Sequence, residues 1–176
     1  LAALLPIGYT RVKLPGYDQT PDSEPLPFFG YTAVAGWRGR IYVAALRTDD
    51  PERWLARNFD TRRLEDLVRR RLAAEPDNRM LAHHAHCALD YHCPTASNLF
   101  FGRWEGACAV SSGCNARCVG CISKQEEEGL VSPQDRLTFK PTEQEVIDAA
   151  VAHLDVAEDG IFSFGQGCEG EPLLQL

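Results

Sequence analysis

Cys114, Cys118 and Cys121 stand in a C-x3-C-x2-C arrangement within Cys114-Asn115-Ala116-Arg117-Cys118-Val119-Gly120-Cys121. Three thiols on one short loop can converge on a common centre, and thiolates are soft ligands suited to zinc or to iron–sulfur clusters. Structural zinc normally takes four protein ligands, so a set of three leaves one position open to an external ligand. The competing chemistry is a structural zinc whose fourth ligand is Cys108 or a histidine. A second group comprises His83, His84, His86, Cys87, His92 and Cys93. Within it His83 and Cys87 lie one helical turn apart and can share a metal, whereas the mixed spacing of the rest favours a helix with exposed histidines and a packed Cys87. Ser111 and Ser112 adjoin a glycine but form no nucleophile elbow, so hydrolysis is not supported. Gly165-Gln166-Gly167 begins like a dinucleotide fingerprint, but Glu171 is read at the place of its last glycine and no helix signal follows, so no dinucleotide-binding loop is read there.

These residues need elements to hold them. Ala107-Cys108-Ala109-Val110-Ser111 reads as a short buried strand that delivers the cysteine loop from its C-terminal end. Thr142 and Glu145 form a capping box, followed by Val146, Ile147, Ala150, Val151 and Leu154 at helical spacing. Asp159-Gly160 then turns into a second buried strand, Ile161 to Phe164. Strand, helix, strand implies a parallel βαβ unit. Upstream, residues 1–28 carry five prolines and read as an extended, loop-rich lead-in. A hairpin is expected from Tyr31–Ala35 and Ile41–Leu46 around Gly36-Trp37-Arg38-Gly39. Helices are expected over Pro51–Arg57, over Thr61–Ala74 with Leu64, Leu67, Val68 and Leu72 on one stripe, and over Asn78–Tyr91, stopping before Pro94. Trp37, Trp54 and Trp104 are expected as core or interface anchors.

The 176-residue chain has 18 Lys plus Arg against 25 Asp plus Glu, a net charge of −7, with 44% hydrophobic residues. That balance argues against a surface built on phosphate contacts, and nucleic acid is not indicated as a partner; Arg62, Arg63, Arg69, Arg70 and Arg71 read as a solvated face. No apolar run approaches the roughly 20 residues that span a bilayer, so no membrane partner is expected. Seven clustered cysteines, an odd number, do not form a disulfide framework and fit a reducing, cytoplasmic setting. Met80 is the one methionine and the chain opens at Leu1, so the natural N-terminus is expected upstream.

The cysteine loop after one strand, and Gly167-Cys168-Glu169-Gly170-Glu171-Pro172-Leu173-Leu174 after the next, resemble the radical S-adenosylmethionine (SAM) enzyme superfamily over about residues 105 to 176. The resemblance implies an α/β fold: a partial (β/α) TIM-like barrel, of which this chain is a fragment, with residues 104–176 starting the barrel and residues 1–103 forming a small α+β region before it. It implies that Cys114, Cys118 and Cys121 hold three irons of a [4Fe–4S] cluster, while SAM chelates the fourth iron. Electron injection from a donor such as a flavodoxin or ferredoxin would then yield a 5′-deoxyadenosyl radical that abstracts hydrogen from an unknown substrate. The second motif implies SAM-amine contacts at Gly167, Glu169, Gly170 and Glu171. Glycine there permits close backbone approach, and oxygens at a strand end accept hydrogen bonds from an ammonium. Two positions depart from the family pattern: Gly120 stands where an aromatic residue is common, and Glu169 replaces the first glycine of Gly-Gly-Glu-Pro. The alternatives from other classes are a non-catalytic, zinc-stapled binding module and an iron–sulfur electron carrier with a fully ligated cluster.

Overall fold

The computed structural model describes the chain except for residues 1, 7, 19, 24–29, 51, 53–57, 120, 125–131, 133, 166, 167 and 176. The expected helix over Pro51–Arg57 and Trp54 fall outside the described residues.

The hairpin forms as β3 (Thr32–Trp37) and β4 (Arg40–Val43), antiparallel with Trp37 opposite Arg40. Its loop is thus the dipeptide Arg38-Gly39, and both residues have positive φ, 49° and 73°. That conformation matches the twist of the flanking strands, which is why Gly36 and Trp37 extend the strand rather than the turn. Trp37 is 57% exposed, with the Arg38 guanidinium 4.4 Å from its ring centroid, so it anchors no core among the described residues. Trp104 is half-buried.

The proline-rich lead-in contributes two short strands that the sequence does not signal. β1 (Ala2–Ala3) adds antiparallel to β3, and β2 (Tyr9–Arg11) pairs with β5 (Ala45–Arg47). Both lie close to Pro6, and a two- or three-residue strand carries no readable alternation. The fully buried Thr32 ties the two sheets together, its Oγ1 donating to the Ala44 carbonyl at 2.7 Å.

Helix α1 (Leu64–Ala74) follows a 3-10 turn at Thr61–Arg63 capped by the Asp60 carboxylate, which accepts the Arg62 N–H. Its Val68 is buried, with Leu64, Leu67 and Leu72 packed beside it, while Arg62, Arg63, Arg69 and Arg70 face solvent. Helix α2 (Arg79–Leu89) begins at Asn78, whose side chain accepts the Leu81 N–H. It ends two residues before the expected Tyr91. Pro94 then opens a further helix, α3 (Pro94–Phe101), rather than merely terminating its predecessor. A proline at the first helical position loses no hydrogen bond, because that N–H has no partner in any case.

Strand β6 (Glu105–Cys108) lies two residues earlier than expected at its start and runs parallel to β7 (Ile161–Phe164), with Glu105 opposite Ile161 and Cys108 opposite Phe164. Between them sits α4 (Glu143–Leu154), with both halves of the Thr142–Glu145 capping box formed. Helix and strand approach so closely that a Cβ on Gly106 would lie 2.5 Å from the His153 ring, a spacing only glycine allows. One apolar cluster joins these parts: Val68 of α1, Met80, Leu81, Ala85 and Ala88 of α2, Leu99 and Phe100 of α3, Cys108 of β6 and Ala149 of α4. The molecule is therefore mixed α/β with small sheets, none of them closed into a barrel among the described residues. Of the five apolar residues at helical spacing in α4, Val146 packs against the core and Ala150 is half-buried, while Ile147, Val151 and Leu154 are about half exposed at 50%, 51% and 45%. The positions turned inward are Glu145, Ala149 and His153. No helix among the described residues is long and apolar enough to cross a membrane.

Candidate functional site

Where β6 ends, the chain continues through Ala109, whose N–H donates to His84 Nε2 at 3.0 Å. This contact consumes His84 structurally, and burial drives its pKa down to about 3, so it stays a neutral acceptor. Ser111 is fully buried; its hydroxyl donates to the Gly113 carbonyl and accepts the Gly113 N–H, bending the chain just before Cys114.

The segment after β7 returns to this bend. Gly170 N–H donates to the Ser111 carbonyl at 3.0 Å, and Glu171 N–H donates to the Gly113 carbonyl at 2.7 Å. A Cβ on Gly170 would fall 2.3 Å from one of those carbonyl oxygens and 2.4 Å from the other, so a glycine is required at this crossing. The two motifs that the sequence places far apart thus share a backbone seam ending one residue before Cys114. Gly165, at φ 76°, makes the turn out of β7 and leaves room for Pro172. A 3-10 turn at Pro172–Gln175 follows, with Glu171 Oε1 accepting the Leu173 N–H. Residues 165–170 do carry a G-x-G-x-x-G spacing, but this short turn stands where a dinucleotide loop would open an α-helix. Gly167 lies outside the described residues.

The three loop thiols differ in setting. Cys114 and Cys118 are exposed, and Cys121 is half-buried. Burial pushes the Cys121 thiol up, but hydrogen bonds from Ser123 and the Lys124 backbone, with the Arg136 guanidinium, outweigh it and hold its pKa below the usual value. Arg136 Nη2 lies 3.8 Å from the Cys121 sulfur, and its Nε and Nη2 also bind the Ser123 hydroxyl. An electropositive neighbour of this kind favours the thiolate, the form that ligates metal. Nothing in the sequence pattern marks Arg136 for this place. By contrast Cys108 is fully buried in the apolar core cluster, apart from the accessible loop thiols, which makes it a poor fourth ligand for the loop. Three accessible thiols, one of them biased toward the thiolate, make a donor set that fits a soft, incompletely ligated centre.

The histidine–cysteine group divides. His86 Nδ1 pairs with Asp90 at 2.7 Å on an exposed face, and His92 is exposed. His83 and Cys87 turn inward and meet a third residue, Glu169: His83 Nε2 lies 2.7 Å from Glu169 Oε1 and 3.8 Å from Cys87 Sγ. The other Glu169 oxygen accepts the Leu137 N–H at 2.9 Å. Glu169 is 6% exposed and so faces this interior cluster. Its distance from His83 in sequence leaves no local spacing that could announce the contact. Beside the cluster lies a cavity of about 140 Å³ lined among others by Cys87, Cys93, Cys168 and Gln134. Burial pushes the Cys87 and Cys168 thiols up to about 12, with the Glu169 charge adding to it. Among the described residues, His83, Cys87 and Glu169 form the one group of three whose ligand atoms all lie within 4.8 Å of each other; Cys114, Cys118 and Cys121 are not gathered that tightly. No family model, curated protein or solved structure matches this chain.

Proposed function

We propose that this chain is the leading part of a radical SAM enzyme, working in a reducing, cytoplasmic setting, whose α/β architecture is the start of a partial (β/α) barrel. The observation that carries the reading is the seam by which Gly170 and Glu171 bind the carbonyls of Ser111 and Gly113, setting the second motif against the root of the cysteine loop. Cys114, Cys118 and Cys121 would hold a [4Fe–4S] cluster, with Arg136 keeping Cys121 in its ligating form. Once bound, the cluster would supply the single electron that cleaves the sulfonium of SAM. The chain's own task would be positional: Gly170 permits the close crossing that sets the second motif against the loop root, and the Glu171 carboxylate, half-buried beside that crossing, would offer acceptors to an ammonium.

Anaerobic reconstitution of the chain tests the proposal. About four irons and four sulfides per chain are expected, with an EPR spectrum of the reduced cluster that changes on adding SAM. Cys118→Ala should lose most of the iron and the SAM response. No iron uptake, with a tightly held zinc that is lost from a Cys114→Ala/Cys118→Ala/Cys121→Ala variant, would favour the stapled module, and a cluster indifferent to SAM would favour the electron carrier; either result overturns the proposal.

A further inference from the structure

His83 and Cys87 belong to neither motif of the proposed enzyme, and Glu169, though it stands in the second motif, turns away to meet them, so the three side chains of this cluster come from two remote parts of the chain. We propose that His83 Nε2, Cys87 Sγ and Glu169 Oε1 are the ligands of a single thiophilic divalent ion of the zinc class.

Geometry and donor type carry this. A tetrahedral ion with bonds of about 2.0–2.3 Å holds nitrogen and sulfur ligands about 3.5 Å apart, and these atoms already lie at 3.8 Å. The His83–Glu169 pair needs only to open from 2.7 Å to about 3.4 Å as an ion takes the place of the proton between them. One imidazole, one thiol and one carboxylate are the ligand types that zinc accepts. Cys87 and Glu169 are buried and His83 is half-buried, so none is an incidental surface group. Glu169 is also oriented in advance, because its second oxygen is fixed by the Leu137 N–H. Such an outer hydrogen bond is what steadies a ligating carboxylate. Cys87 and Glu169 also line the cavity beside the cluster, together with Cys93 and Cys168.

The ion would tie α2 to Glu169, the residue immediately before the seam at Gly170 and Glu171. It would thereby brace the root of the cysteine loop from behind. The zinc-class site takes Glu169 out of the SAM-amine contacts that the resemblance implies but needs none of Cys114, Cys118 and Cys121, and one variant separates the two.

Chelator-treated chain is titrated anaerobically with Co²⁺ as a spectroscopic stand-in for zinc, in the wild type and in a Cys114→Ala/Cys118→Ala/Cys121→Ala variant. The triple variant should take up one equivalent of Co²⁺ with a thiolate-to-cobalt charge-transfer band and the intense visible absorption of a tetrahedral site, and the wild type at least as much. In the triple-variant background Cys87→Ser should lose the band, and Glu169→Gln should weaken uptake at least tenfold. Zn²⁺ should displace the cobalt and bleach the spectrum. Absence of the band in the triple variant, or its survival in Cys87→Ser, overturns the assignment. Because the triple variant leaves all three proposed ligands in place, the outcome does not depend on whether the substituted ligand variants fold.

Discussion

At the scale of single residues, the site depends most sharply on Gly170. The two carbonyl oxygens that a Cβ would meet belong to backbone already engaged in hydrogen bonds, so neither can move aside cheaply. Gly170→Ala should cost about 1–3 kcal/mol of stability, the range for a forced overpacking. It should also abolish the SAM response of a reconstituted cluster while leaving iron loading largely intact, since no proposed iron ligand is touched. Denaturant unfolding and EPR on the same preparation check both halves, and an unchanged SAM response would show that the seam does not shape the nucleotide site. Some of this is legible in sequence and some is not. The C-x3-C-x2-C spacing and the glycine-rich segment are local patterns. The approach of Glu169 to His83 and of Arg136 to Cys121 arises only when the chain has folded.

At the scale of elements, α4 is held by its first turn. Glu145 accepts the Thr142 N–H and the Arg79 backbone N–H, and receives the Arg79 guanidinium on both oxygens. One carboxylate thus closes the capping box and joins α4 to the start of α2. The Arg79 side chain, ahead of the Thr142 and backbone contacts, holds the Glu145 pKa down at about 2 against the opposing effect of burial. A carboxyl depressed in the folded state stabilises the fold above its unfolded pKa of about 4.3, and that contribution is lost as pH falls toward the folded value. Wild-type protein should therefore lose stability between about pH 4.5 and 2, and Glu145→Gln should flatten that slope while costing on the order of 1–3 kcal/mol at neutral pH. Urea melts across that pH range measure it; an unaltered slope would mean Glu145 is not the group responsible. The capping box is readable because Thr142 and Glu145 satisfy it within four residues. The partnership with Arg79 is not, for it joins residues on two different helices. The same limit explains α3: a proline stops one helix and can start another, and only the packing of Leu99 and Phe100 into the core decides between them.

At the scale of the molecule, the parallel strand pair and its connecting helix follow from the change of hydrophobic period along residues 107–164. The buried face of that helix does not. Ile147, Val151 and Leu154 share its apolar stripe, but the inward positions belong to residues short or polar enough to fit beside β6, with Gly106 admitting the His153 ring. An apolar stripe left in water raises the tendency to associate. Val151→Glu should accordingly change stability by no more than about 0.5 kcal/mol while raising the concentration at which light scattering first increases. A larger loss of stability would place Val151 in the core instead.

Residues 169–171 grip both stems of the cysteine loop at once: Glu169 holds Leu137, while Gly170 and Glu171 hold Ser111 and Gly113. The mouth of the loop is therefore held by a three-residue clasp that acts on both stems at once. Lengthening the arc beyond that clasp would add only slowly growing closure entropy, about 0.6 kcal/mol for each doubling in length. Kindred chains can accordingly differ freely in that arc, and in what it reaches, without moving the sulfurs' point of departure.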